Sequence, residues 1–221
     1  MSIGENIYEL RKKIPQHVTL VAVSKTKSVK EIEDAYNADV RDFGENKVQE
    51  LTAKYDELPK DIRWHLIGHL QRNKVKYIVG KVHLIHSLDS IRLLDEIERH
   101  YKEQGLIAQV LIQINIGKEE NKTGIYIENL EDLLEACENC SNIQVKGLMT
   151  VIPKGDEESC RYYFKQMKNL FNKLCERKFK NVKMEFLSMG MTGDYSIAIE
   201  EGANVVRIGE GIFGKRMYNN K

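Results

Sequence analysis

The chain has 221 residues, 42% of them hydrophobic and 30% charged, with 34 Lys and Arg against 33 Asp and Glu for a formal net charge of +1. That composition suits a buried core, and so balanced a charge gives no global field to draw nucleic acid or an anionic membrane. No run approaches the roughly 20 apolar residues of a membrane helix, and residues 1–16 carry Glu5, Glu9, Arg11, Lys12 and Lys13 in place of an apolar signal segment, so a cytoplasmic location is expected. The order of elements starts with a helix over residues 3–13. A buried strand follows over 18–24 (VTLVAVS), then a helix over 29–36. Strands over 40–43 and 62–67 are each followed by a helical stretch, 47–57 and 72–79. The strand at 82–87 precedes a strongly amphipathic helix over 91–102, with Ile91, Leu93, Leu94, Ile97 and Tyr101 toward one face. Strand 107–114 (IAQVLIQI), helix 130–137 and strand 143–151 come next. A long helix over 156–177 opens on Asp156, Glu157 and Glu158, as the helix dipole favours. Strand 183–187, a short helix over 195–201 and strand 205–208 complete the series.

Eight strands alternating with helices predict an α/β fold with a parallel sheet. At this count a closed (β/α)8 TIM-type barrel is favoured over an open doubly wound sheet, because closure removes both edges. Such barrels typically run about 250 residues, so this one is compact, with the first helix as an addition in front. No linker or repeat divides the chain, and residues 1–221 read as one domain.

Sites in this fold lie at the C-terminal ends of the strands. Lys25 closes the most apolar strand. It is either an exposed cap or a buried amine near a ligand, where desolvation lowers an ammonium pKa and frees a neutral amine to attack an aldehyde. Ser188-Met189-Gly190 follows the seventh strand and Arg207-Ile208-Gly209 the eighth. Those loops are the usual phosphate site of the barrel: glycine lets backbone N–H groups approach phosphate oxygens, and a serine hydroxyl adds a donor. Tight turns alone would also account for these glycines. Other strand ends offer Asn46 and His65.

Three motifs mislead. Gly209–Lys215 fits GxxxxGK, but Arg216 stands where a P-loop needs Ser or Thr, and six residues after Lys215 cannot build a nucleotide domain. His65 and His69 stand four apart, but no HExxH is present and the segment begins as a strand, so no metal is expected. Cys137 and Cys140 form a lone CxxC at the end of a helix and read as reduced thiols.

In order, Ala22-Val-Ser-Lys-Thr-Lys27, Phe43-Gly-Glu-Asn46, Trp64-His-Leu-Ile-Gly-His-Leu-Gln71, Lys122-Thr-Gly124, Gly147-Leu-Met149, Leu187-Ser-Met-Gly-Met191 and Val206-Arg-Ile-Gly209 resemble the pyridoxal-phosphate homeostasis proteins. The likeness covers about residues 18–215. The resemblance implies a barrel similar to the N-terminal domain of alanine racemase, with pyridoxal 5′-phosphate (PLP) held as a Schiff base on Lys25. It implies that Ser188 and the backbone around Gly209 hold the phosphate, that Arg207 faces the pyridine nitrogen, and that Asn46 lies beside the cofactor. The turn residues Met189 and Gly190 are counted with that site, and His65, by its place on the third strand, is expected to pack under, or hydrogen-bond near, the pocket. Many members carry Ser or Thr where this chain has Glu210. A carboxylate aimed at phosphate would repel it, so Glu210 is expected to turn away and leave its backbone N–H in the site.

Two functions compete. A PLP-dependent racemase needs an acid/base on each face of the substrate carbon, and in racemases of this likeness the second comes from a β-rich domain absent after the eighth strand here. A non-catalytic carrier of PLP in vitamin B6 homeostasis is therefore favoured, monomeric, with PLP-dependent apo-enzymes as candidate recipients.

Overall fold

In a computed structural model, described over residues 1–214, the eight strands close into a parallel barrel in sequence order, β1 pairing with both β2 and β8. The strands are β1 (Thr19–Val23), β2 (Asp42–Glu45), β3 (Arg63–Leu66), β4 (Leu84–Leu88), β5 (Ala108–Ile114), β6 (Ile143–Thr150), β7 (Val182–Ser188) and β8 (Val205–Ile208). Helices α1 (Ile3–Lys13), α2 (Val29–Asn37), α3 (Val48–Glu57), α4 (Ile91–Glu103), α5 (Leu130–Glu138), α6 (Glu157–Cys175), α7 (Tyr195–Glu200) and α8 (Glu210–Phe213) accompany them. The closed α/β barrel with a leading helix is the architecture the sequence predicts.

Four helices, α1, α2, α4 and α6, begin at side-chain caps. Ser2 and Glu5 form a reciprocal capping box at α1, and Ser28 and Glu31 another at α2, each satisfying two N–H groups that a helix start leaves open. Asp156 caps α6 by accepting from the Ser159 N–H. α4 buries Leu93, Leu94, Ile97 and Tyr101, each large side chain contributing roughly 1.5–3 kcal/mol by leaving water. Ile91, expected on that face, is exposed as the first helical residue. α1 reaches the far end of the chain, where Asn6 Nδ2 donates to the Ile212 carbonyl at 2.9 Å.

Two elements depart from the sequence reading. The helix expected at 72–79 is a 3₁₀ segment, Arg72–Tyr77, burying only Val75. The fully buried Val75 and the Ile78 that follows stand three residues apart, a spacing that a 3₁₀ turn places on one face. The second strand runs two residues later than expected, taking in Gly44 and Glu45. Neither has strand propensity, but a Cβ at Gly44 would meet Val21 Cγ1 and Ile67 Cδ1 at 3.0 Å inside the barrel, so tertiary fit selects glycine there. Cys137 and Cys140 are buried and free, and burial pushes both thiols up, Cys140 to about 11, which keeps them protonated. Among the described residues no helix is long and apolar enough to cross a membrane, and no group of three potential metal ligands forms. Lys215 and Arg216, which close the apparent P-loop, lie outside the described residues.

Candidate functional site

The loop after β1 is pinned on both sides of Lys25. Ser24, fully buried, donates its hydroxyl to Glu45 Oε1 at 2.6 Å. Lys54 Nζ donates to the same carboxylate oxygen at 2.8 Å and to the Ser24 carbonyl at 2.9 Å. Thr26 takes a left-handed φ of 66° and gives its N–H to Glu50 Oε2 at 2.8 Å. Lys27 is committed elsewhere, to Glu31 at 3.0 Å and the Phe213 carbonyl at 3.2 Å. Lys25 thus sits half-buried on a fixed backbone at the C-terminal mouth of the barrel. Asn46, also half-buried, follows β2 at the same mouth. Its backbone packs against the loop after β3 so closely that a Cβ on Gly68 would lie 2.5 Å from the Asn46 carbonyl oxygen.

After β7, Gly190 has φ +92°, and a Cβ there would stand 2.6 Å from Ala198 Cβ. Only glycine allows α7 to press onto this loop. Its carbonyl accepts from the Arg207 N–H at 3.0 Å, while fully buried Met189 gives its N–H to the Val205 carbonyl at 3.1 Å. Gly209 leads into α8, and a Cβ on it would come within 3.3 Å of Val23 Cβ. The first N–H groups of α8, on Glu210 and Gly211, have no acceptor within the helix, and the Glu210 side chain is exposed. The glycine turns, the first turn of α8, Lys25 and Asn46 therefore belong to one end of the barrel, as the sequence places them.

Beneath that end lies a buried polar chain. Arg63 grips both carboxylate oxygens of Asp42, Nε at 2.8 Å and Nη2 at 2.6 Å. His65 Nε2 lies 3.0 Å from Asp42 Oδ1, and His65 Nδ1 lies 2.9 Å from His86 Nε2. His86 Nδ1 lies 3.0 Å from Ser188 Oγ, a contact that spans the barrel from β4 to β7. Arg207 donates from Nη1 to Ser188 Oγ at 2.5 Å and from Nη2 to the Thr150 carbonyl at 2.8 Å. Burial pushes the Asp42 carboxyl up, but hydrogen bonds from His65 and Arg63 outweigh it and bring it down to about 2. Burial, with the Arg207 cation nearby, pushes His86 well below the usual imidazole range and keeps it neutral. Burial also lowers Arg207 to about 10, which leaves it a cation at neutral pH.

Of the residues singled out in the sequence, Lys25, Asn46, Gly190, Gly209 and the Glu210 backbone meet at the mouth, with Met189 buried just below. His65, Ser188 and Arg207 form the buried chain under it. The Ser188 hydroxyl, expected at a phosphate, is engaged by Arg207 and His86. His69 lies apart from His65, half-exposed beside Asp89 at 3.5 Å. Sequence reasoning missed Asp42, Lys54 and His86. For His86 the signal was present: it interrupts a strand that is otherwise apolar or small, and an imidazole there must have a buried partner.

A guanidinium buried on two neutral acceptors is costly unless something further compensates it. A ligand that offers an acceptor toward Arg207, an anionic group to the glycine turns and an aldehyde to Lys25 matches this donor set, and PLP has all three.

A family model described as the alanine racemase N-terminal domain matches residues 1–217. The pyridoxal phosphate homeostasis protein of Aquifex aeolicus is 45% identical over 201 residues, 90% of this chain and 87% of that protein. The protein of the same name from Escherichia coli is 35% identical over 235 residues, 99% of each. Among solved structures, PipY of Synechococcus elongatus with PLP bound superposes with a TM-score of 0.88 at 34% identity, covering 96% of this chain and 100% of that one. Alanine racemase from Streptomyces coelicolor shares the fold at a TM-score of 0.78 and 17% identity, over 97% of this chain and 58% of its own. On this likeness along nearly its whole length, the chain belongs to the family of pyridoxal phosphate homeostasis proteins.

Proposed function

We propose that this protein binds PLP at the C-terminal mouth of its barrel and serves PLP homeostasis as a monomeric, cytoplasmic carrier without catalytic turnover. The observation that carries the reading is the juxtaposition of a half-buried lysine on a pinned loop with a buried arginine, hydrogen-bonded to the Ser188 hydroxyl and the Thr150 carbonyl, under two glycine turns. Bound PLP supplies an aldehyde carbon that a neutral primary amine attacks. Lys25 provides the amine. The open backbone N–H groups of the turns after β7 and β8 would hold the phosphate, helped by the first turn of α8. Asn46 lines the mouth. Arg207 stays a cation at neutral pH and leaves a pyridine nitrogen facing it as an acceptor, which weakens electron withdrawal by the ring. That weakness supports a carrier over a racemase, although racemases that share the fold use such rings in catalysis. Transfer of PLP to apo-enzymes follows from a carrier role.

Borohydride reduction tests the assignment. The purified PLP-loaded protein should lose its visible absorption on reduction and carry a pyridoxyl mass on the Lys25 peptide, and Lys25→Ala should carry it on no single peptide. Label on Lys27, Lys74 or Lys215 in the wild type would sink the site. A racemase and transaminase screen of the loaded protein should find no turnover, and turnover lost in Lys25→Ala would overturn the carrier role.

A further inference from the structure

The hydrogens along the buried chain can be placed by elimination. Asp42 is a carboxylate, because Arg63 clamps both of its oxygens, so His65 must present Nε2–H to it. The interior already holds the Arg207 cation, and Arg63 neutralises Asp42. Arg63 already balances the single charge of Asp42, so a second cation at His65, 4% exposed at its side chain, would leave net positive charge in the interior beside that of Arg207. With one ring hydrogen, committed to Asp42, the His65 Nδ1 is an acceptor. The hydrogen in the 2.9 Å contact belongs to His86 Nε2. His86, completely buried and flanked by Arg207 through Ser188, is neutral, so its Nδ1 accepts. The Ser188 O–H points at His86, and only its lone pairs remain for Arg207.

We infer that the relay Asp42–His65–His86–Ser188 has this single polarity and makes Ser188 a positioning residue for Arg207. In this role its hydroxyl is an acceptor that aims the guanidinium, and it is not a donor to the phosphate. The inference rests on the PLP reading for its functional consequence, but the relay itself is a property of the cofactor-free protein. It also reaches far. Asp42 and Arg63 face the N-terminal mouth, where the Arg63 side chain is 49% exposed, so the orientation of Arg207 depends on groups at the opposite end of the barrel. Such directional chains strengthen bond by bond, each donor polarised by the one before it.

The test reads the relay without PLP. Long-range proton–nitrogen NMR correlations on histidine-labelled cofactor-free protein at pH 8, assigned with His65→Gln and His86→Gln, should show both imidazoles as single Nε2–H tautomers. In Ser188→Ala the His86 Nδ1 resonance should move to the position of an unbonded ring nitrogen. An Nδ1–H tautomer on either ring, or a His86 signal indifferent to Ser188→Ala, overturns the polarity. PLP titration then tests the positioning role. Ser188→Ala and His86→Leu should each weaken PLP binding about tenfold, the loss of one hydrogen bond of about 1.4 kcal/mol, with any borohydride label still on Lys25. Weakened binding in Ser188→Ala with wild-type affinity in His86→Leu would make Ser188 a direct phosphate ligand and overturn the inference. Should the wild type bind no PLP, the PLP reading falls, and the tautomers still decide the relay.

Discussion

On the β4–β7 side of the barrel interior, Leu84, Leu111 and Met149 form a small apolar cluster with Val151 and Phe186 packed against it. Beside it, Asp42, His65, His86, Ser188 and Arg207 fill the same interior with hydrogen bonds and charge. Both regions lie largely buried in the barrel interior, and they specify different things. The apolar cluster stabilises by volume and is indifferent to how each side chain points, so long as the space is filled. The polar chain contributes little net stability, since its groups were hydrogen-bonded in water too, but each member fixes the orientation of the next. An interior built only from the first kind would hold the barrel shut without aiming a guanidinium at its mouth.

The effect that would sharpen this contrast most is expected at Asp42. Asp42→Leu removes the acceptor of His65 and the partner of Arg63, and because the half-exposed Arg63 can turn to water the cost falls at the low end for a buried pair, about 3 kcal/mol. Urea denaturation of cofactor-free protein measures it, and a loss under about 1 kcal/mol would show the chain to be slack. In the apolar cluster, Leu111→Ala should cost about 2–5 kcal/mol through lost burial and a cavity, yet leave PLP affinity within about twofold once the protein is folded. A PLP defect as large as that of His86→Leu would erase the distinction between the two regions.

A third effect, of about 2 kcal/mol, is set by pH. Asp42 has its carboxyl lowered from 3.8 to about 2 on folding, so its stabilisation is fully present above pH 4 and is lost as pH falls through about 2. Denaturation midpoints followed from pH 5 to pH 2 should fall more steeply in the wild type than in Asp42→Asn, and parallel curves would mean the carboxylate is not held as described. Smaller still is the change at the mouth. Gly68→Ala places a methyl 2.5 Å from the Asn46 carbonyl, so the loop after β2 must move. Cofactor retention should weaken modestly with the melting temperature little changed, whereas a collapse in stability with normal affinity would show that Gly68 serves folding alone. The smallest effect is expected at Glu210, whose exposed side chain leaves only its backbone in the site. Glu210→Thr should bind PLP as well or slightly better, and marked loss would give the carboxylate a role not visible in the geometry.

Much of this was legible in the chain itself. The eight strands and the capped helices follow from local patterns: β-branched runs, the Ser2–Glu5 and Ser28–Glu31 spacings, and the apolar face of α4. Lys25, Gly190 and Gly209 stood out because the barrel rule points to strand ends and because glycine at a strand-to-helix turn has a backbone reason. These are one-dimensional signals, set by residues within a few positions of each other.

Tertiary structure decided the rest. Ser188 and His86 are 102 residues apart and Arg207 lies 57 from the Thr150 carbonyl it holds, separations at which no periodicity carries information. Gly44 and Glu45 became strand residues because Val21, Ile67 and Lys54 happened to surround them. The partners of the Ser188 hydroxyl were likewise settled by closure of the barrel. Sequence marks which residues can donate or accept, but direction in a hydrogen-bond chain exists only once every donor has met its acceptor, and that meeting is a property of the folded barrel.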